Sequence, residues 1–214
     1  MANPLGQAGK FEPAGTLGAS NLPSLGYAPQ PVRHICITAR GLCARPLPAQ
    51  VAHLAQLGCI DTVILREKDM GEAAYETLAR QVQRECDCAQ LDFVVHTFSA
   101  VAQRLGCATV HLPLPLLRAH GRPPAIECVG ASVHSVAQAL EACQLGANYL
   151  VASPIFATDC KPGQPGRGSD FLREVVAATT LPVYALGGIT DATEPLLVNT
   201  GAQGFCRQSH YMRL

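Results

Sequence analysis

Four short stretches of the chain echo one another. Leu57-Gly58-Cys59, Leu105-Gly106-Cys107, Leu145-Gly146-Ala147 and Thr200-Gly201-Ala202 each close a helix-like segment and lead into an apolar run. A glycine just past a helix end takes the left-handed conformation that terminates it, so each copy marks a helix-to-strand corner. Around these corners, strand-like and helix-like segments alternate. Short apolar or β-branched runs at 34–38, 60–65, 93–96, 109–112, 127–131, 149–152, 183–186 and 204–207 read as strands. Segments at 51–57, 71–86, 99–105, 135–145, 171–178 and 194–199 carry helical periodicity, as in Ala74, Leu78, Val82 and Cys86. A proline-broken connection is expected from the fourth strand to about Pro124, and a long loop from Ser153 to Gly168. The four echoes precede the second, fourth, sixth and eighth strands. A fourfold double βα unit predicts an α/β chain closed into a (β/α)8 TIM barrel rather than an open sheet. The chain ends at Leu214, just after the eighth strand, so the last helix is expected to be missing or reduced to one turn.

The boundaries follow from composition. Residues 1–31 are rich in Gly, Pro, Ala, Ser and Asn without periodicity and read as a flexible N-terminal leader. Residues 32–214 read as a single barrel domain. Lys plus Arg equals Asp plus Glu at 16 each, which gives no reason to expect nucleic acid or a membrane as partner. The 10 cysteines are scattered through apolar runs with no C-x-x-C pair, so they read as buried thiols in a cytoplasmic protein. The N-terminus lacks the layout of a secretory signal.

In such a barrel, the residues just beyond each strand face the active site. Beyond the fifth strand stands His134, directly before Ser135, which pairs with Gln138 as a capping box. A helix start disfavours the imidazolium, and a neutral imidazole suits a general base near neutral pH. Beyond the second strand, Arg66-Glu67-Lys68-Asp69 puts two cations at the mouth. Beyond the sixth, a loop holding Thr158, Lys161 and Arg167 reads as a lid. Gly187-Gly188 after the seventh strand lets backbone N–H groups approach a phosphate, with a helix opening behind it, and Gln208-Ser209-His210 follows the eighth. For both His96 and His111 the expected role is a structural hydrogen bond; His96, which closes its strand, ranks above His111 as a substrate contact. Cys160 has no His partner in sequence, and His34, His53, His120 and His210 receive no role.

Leu65-Arg66-Glu67-Lys68-Asp69, Gly130-Ala131-Ser132-Val133-His134-Ser135, Phe156-Ala157-Thr158-Asp159-Cys160-Lys161 and Leu186-Gly187-Gly188-Ile189-Thr190 resemble the thiamine phosphate synthase and thiazole tautomerase (TenI-type) superfamily over roughly 34–212. The synthases of that superfamily hold magnesium with an Asn-Asp pair after strand three and an Asp after strand four. Here those places read His96-Thr97 and Leu112-Pro113-Leu114-Pro115-Leu116, without a carboxylate, and Ile64 stands where synthases have Gln. Ser132-Val133-His134-Ser135 and the stretch from Thr158 to Gly168 look closest to the tautomerase branch. The resemblance therefore implies an isomerase that aromatises a dihydrothiazole carboxylate phosphate in thiamine biosynthesis, with no metal and no cofactor. On that reading His134 is the acid/base. Gly187, Gly188 and Ser209 bind phosphate. Arg66, Lys68 and Lys161 are available for the carboxylate, with His96, Ser132 and Thr158 as further contacts. The expected partners are a small-molecule thiazole phosphate, a thiazole synthase and a second copy in a homodimer. Two alternatives stand beside it: a thiamine phosphate synthase, which joins a pyrimidine pyrophosphate to thiazole phosphate, and a non-catalytic thiazole-phosphate-binding regulatory protein.

Overall fold

Eight parallel strands close on themselves in chain order: β1 (Arg33–Ile37), β2 (Thr62–Leu65), β3 (Asp92–His96), β4 (Thr109–Pro113), β5 (Cys128–Val133), β6 (Tyr149–Ala152), β7 (Val183–Leu186) and β8 (Gly204–Arg207). β1 pairs with β8 through Ile35 opposite Cys206, which completes the barrel. The computed structural model describes residues 32–158, 163 and 165–214. The proposed leader over 1–31 lies outside the described residues. The helices are α1 (Leu47–Gln56), α2 (Glu72–Ala89), α3 (Ser99–Arg104), α4 (Leu114–His120), α5 (Val136–Gln144), α6 (Gly168–Ala177) and α7 (Ser209–Arg213). The glycine echo is structural: Gly58, Gly106, Gly146 and Gly201 all have positive φ, between 62° and 82°.

Alternation along each strand makes two apolar layers. Ile35, Ile37, Ile64, Val94, Tyr149, Val151 and Cys206 fill the barrel. Val63, Leu65, Val95, Val110 and Phe205 face outward and meet the helices through Leu54, Val82, Val101, Leu117 and Leu172. Cys36, Cys86, Cys107 and Cys206 are buried free thiols, but Cys59 and Cys128, also in apolar runs, are only half-buried, as are Cys43 and Cys143, and Cys88 is exposed on α2.

Two connections differ from the sequence expectation. The proline-rich stretch after β4 is helical, because Pro113 precedes α4 and Pro115 lies in its first turn, where no intrahelical N–H bond is lost. The crossover from β7 to β8 is a 3-10 turn over Glu194–Thr200, with Pro195 near its start and a kink at Asn199. Its shortness gives the β7 end no α-helical N-terminus, so the expected helix-dipole aid to phosphate binding there is absent. α7, after β8, is five residues long. No described helix is long and apolar enough to cross a membrane.

Candidate active site

The register of the barrel brings the site together. His96 pairs with His111 across β3 and β4, His111 with Gly130 across β4 and β5, and Gly130 with Tyr149 across β5 and β6. A Cβ on Gly130 would stand 2.0 Å from Tyr149 Cζ. The missing side chain thus lets the tyrosine ring cross the barrel beneath the mouth. Its hydroxyl lies 3.2 Å from His111 Nδ1, and His111 Nε2 lies 2.8 Å from Ser132 Oγ. His111 therefore fixes the Ser132 hydroxyl from below. The His96 and His111 rings stack with centroids 5.6 Å apart. Burial, then the neighbouring His111 and the cations Arg66 and Lys68, pushes His96 down to about 2. Burial and Arg66 push His111 down to about 3. Both rings are neutral at physiological pH. Thr97 Oγ1 sits 2.7 Å from His96 Nδ1, and Thr97 holds φ at 72°. A β-branched residue there carries about 1–3 kcal/mol of strain.

Above this floor opens a cavity of about 860 Å³. The lining comprises Arg66 and Lys68 after β2, His96 at the end of β3, Ser132 and His134 at the end of β5, Thr158 after β6, Gly187 and Gly188 after β7, and Ser209 after β8. Every described candidate from the sequence reaches this one cavity; Lys161 lies outside the described residues. The lining also includes Gln208, which the sequence places beside Ser209, and Ser153 and Arg213, which it does not single out. Periodicity gives no reason to select these two.

Local chemistry sets each part of the lining. The β2 loop is anchored by buried Glu67, which accepts from Thr38 Oγ1 at 2.7 Å and from Arg40 N and Nη1 at 3.0 Å each. Thr38 Oγ1 in turn accepts from Arg66 N at 2.8 Å. Asp69 pairs with Arg40 at 2.6 Å, which holds its carboxyl below the usual range. The two acids of the Arg66–Asp69 run are therefore engaged by Arg40, while the two cations line the mouth. His134 Nδ1 lies 2.7 Å from Ser153 O and donates to it, so a neutral His134 ring keeps its lone pair on Nε2. Ser135 Oγ accepts from Gln138 N at 3.1 Å, and Gln138 Oε1 accepts from His134 N at 2.7 Å. Phe156 N donates to Gly187 O at 2.9 Å, so the β6 loop rides on the glycine pair.

The stretch from 34 to 210 matches the family model described as thiamine monophosphate synthase. The chain belongs to the thiamine monophosphate synthase family. Among its relatives, the thiamine-phosphate synthase of Methanoculleus marisnigri is 37% identical over 158 residues, covering 72% of this chain and 75% of that protein. That of Geobacillus kaustophilus is 34% identical over 163 residues, covering 73% and 74%. Among solved structures, thiamine phosphate pyrophosphorylase from Pyrococcus furiosus superposes with a TM-score of 0.74 at 25% identity, covering 86% of this chain and 88% of that one.

These relatives overturn the isomerase expectation. They carry the name of a synthase, a transferase, and not of a thiazole tautomerase. The physical reason is visible in the motifs taken as marks of the tautomerase branch. Ser135 caps α5 and His134 is tied to Ser153. Arg167 bonds His134 O and lies 4.1 Å over the Phe171 ring. A Cβ on Gly166 would stand 2.5 Å from Phe156 Cα. Each of these residues builds the barrel mouth itself, whichever reaction occurs above it, so they do not discriminate between branches.

The family resemblance also implies magnesium in the synthases, and the donor set here does not fit it. No Asp or Glu lines the cavity among the described residues. Nor do the described residues contain any cluster of three or more His, Cys, Asp or Glu suited to a metal ion. A hard divalent cation needs oxygen ligands, and the place after β3 offers a neutral imidazole and a threonine.

Proposed function

We propose that this chain is a transferase of the thiamine-phosphate synthase type. The observation that carries the reading is one cavity lined together by two cations, Arg66 and Lys68, by the Gly187-Gly188 backbone and the Ser209 hydroxyl, and by Ser132 and His134. Gly187, Gly188 and Ser209 hold the phosphate of a thiazole phosphate through backbone and hydroxyl donors. Arg66 and Lys68 face the pyrophosphate of the aminopyrimidine substrate, with Lys161 a further candidate. Ser132, oriented by His111, and His134, presenting an Nε2 lone pair, hold ring substituents between them. Thr158 and His96 complete the enclosure. His134 here accepts a hydrogen bond, and the proton-transfer role falls with the isomerase reading.

In the reaction, the bond from the pyrimidine methylene carbon to the pyrophosphate oxygen breaks, and its electron pair leaves with pyrophosphate. The thiazole nitrogen lone pair forms the new C–N bond. Negative charge grows on the departing oxygen, where fixed cations stabilise it without reorganisation. A second reading, a thiazole-phosphate-binding protein without turnover, is favoured by the lack of lining carboxylates among the described residues.

The test is to incubate the protein with the aminopyrimidine pyrophosphate and thiazole phosphate, with Mg²⁺ and separately with chelator, and to follow thiamine phosphate and released pyrophosphate. Stoichiometric formation of both supports the transferase, and Lys68→Ala is expected to lower kcat/KM by about tenfold or more. Thiazole phosphate binding without product under either condition selects the second reading.

A further inference from the structure

Three observations converge at the end of β3. His96 is buried and stacked on His111, Thr97 holds a left-handed backbone with its hydroxyl on His96 Nδ1, and Arg66 and Lys68 line the same cavity as His96. The nearest acids in sequence, Glu67 and Asp69, are bound to Arg40. A metal-bound pyrophosphate brings a hard cation that must be met by carboxylates or their equivalents. Among the described residues lining the cavity here, the cation would meet two like charges and a neutral imidazole. A metal-free pyrophosphate, by contrast, brings only negative charge and oxygen acceptors, which guanidinium and ammonium groups satisfy directly.

We infer that Arg66 and Lys68 recognise pyrophosphate free of divalent metal, the protein's own cations replacing the ion and His96, held by Thr97, standing in the cavity where a carboxylate would be needed. The inference rests on reading the cavity as the site of a pyrophosphate substrate. It adds that such a substrate is bound, and its leaving group retained, without magnesium. Thr97 is the informative position: aspartate tolerates a positive φ better than a β-branched residue, so a carboxylate can be introduced there without added backbone strain.

The experiment is calorimetric titration of the full chain with inorganic pyrophosphate, in chelator and in millimolar Mg²⁺. Binding in chelator is expected to be at least as tight as in Mg²⁺, and Lys68→Ala to weaken the metal-free Kd by about tenfold. The double variant His96→Asn with Thr97→Asp is expected to reverse the order, Mg²⁺ now tightening binding by about threefold or more. Binding of wild type that is tightened about tenfold by Mg²⁺, or pyrophosphate binding under neither condition, would overturn the inference. The two readings fail separately. Metal-free binding without transfer removes the transferase and leaves this inference standing, whereas Mg²⁺-tightened binding with transfer does the reverse.

Discussion

At the scale of single residues, the glycine pair after β7 shows one residue type meeting two demands. Gly187 and Gly188 stand out in sequence as a phosphate approach. The structure adds steric demands of its own. Gly188 holds φ at +63°, and a Cβ there would lie 2.5 Å from Ala157 O and 2.7 Å from Phe156 Cβ. Gly188→Ala is therefore expected to lower unfolding stability by more than about 1 kcal/mol, read from the urea midpoint, because strain and overlap add. It is also expected to weaken phosphate binding by displacing the β6 loop. Gly130 carried no such signal. In sequence it is one more residue of a strand, and its purpose appears only once Tyr149 lies across it. The same holds for His111. Its expected structural hydrogen bond is present, but its partner Ser132 makes it a support of the cavity.

At the scale of elements, the β5–α5 corner was readable because its chemistry is local. Ser135 and Gln138 lie three positions apart, and a capping box needs nothing beyond that spacing. The structure shifts the reciprocal bond by one residue: Gln138 Oε1 takes the His134 N–H. Stability and site geometry are thereby coupled. Ser135→Ala is expected to cost about 1 kcal/mol of stability. Gln138→Leu is expected to raise the KM for the ring substrate more than it lowers kcat, since it frees the backbone that carries His134; steady-state kinetics separates the two. The stretch after β4 was not readable in this way. Prolines at 113, 115, 123 and 124 suggested a broken connection, yet a proline in a first helical turn loses no hydrogen bond, and Leu114 and Leu117 are buried. Tertiary burial outweighs the local breaking signal.

For the whole molecule, the two neutral histidines beneath the mouth link the barrel to pH. Their folded values, about 2 for His96 and about 3 for His111, lie below the ordinary value of 6.5. Between these limits the unfolded chain binds more protons, so stability rises with pH. Their contribution is intact above about pH 6.5 and is lost progressively on acidification, at up to about 1.4 kcal/mol per pH unit for each ring. Urea unfolding from pH 7 to pH 4 is expected to show this slope, and His96→Gln to reduce it by the share of one ring. An unchanged slope in the variant would place the acid sensitivity elsewhere.

Chain order and local chemistry alone already specify the alternation of strands and helices, the glycine-terminated corners, the closed barrel, and the membership of the described candidate residues in one mouth. All of these follow from spacings of a few residues or from repetition along the chain. Closure of the barrel was needed to reveal the Tyr149–His111–Ser132 support, the engagement of Glu67 and Asp69 by Arg40, and the helical form of the stretch after β4. These depend on contacts between residues tens of positions apart, whose energies are absent from any local window. The reaction class was likewise beyond local reading. The motifs that resembled the tautomerase branch shape the mouth through packing and backbone hydrogen bonds, and similarity to synthases along most of the chain is what corrected them.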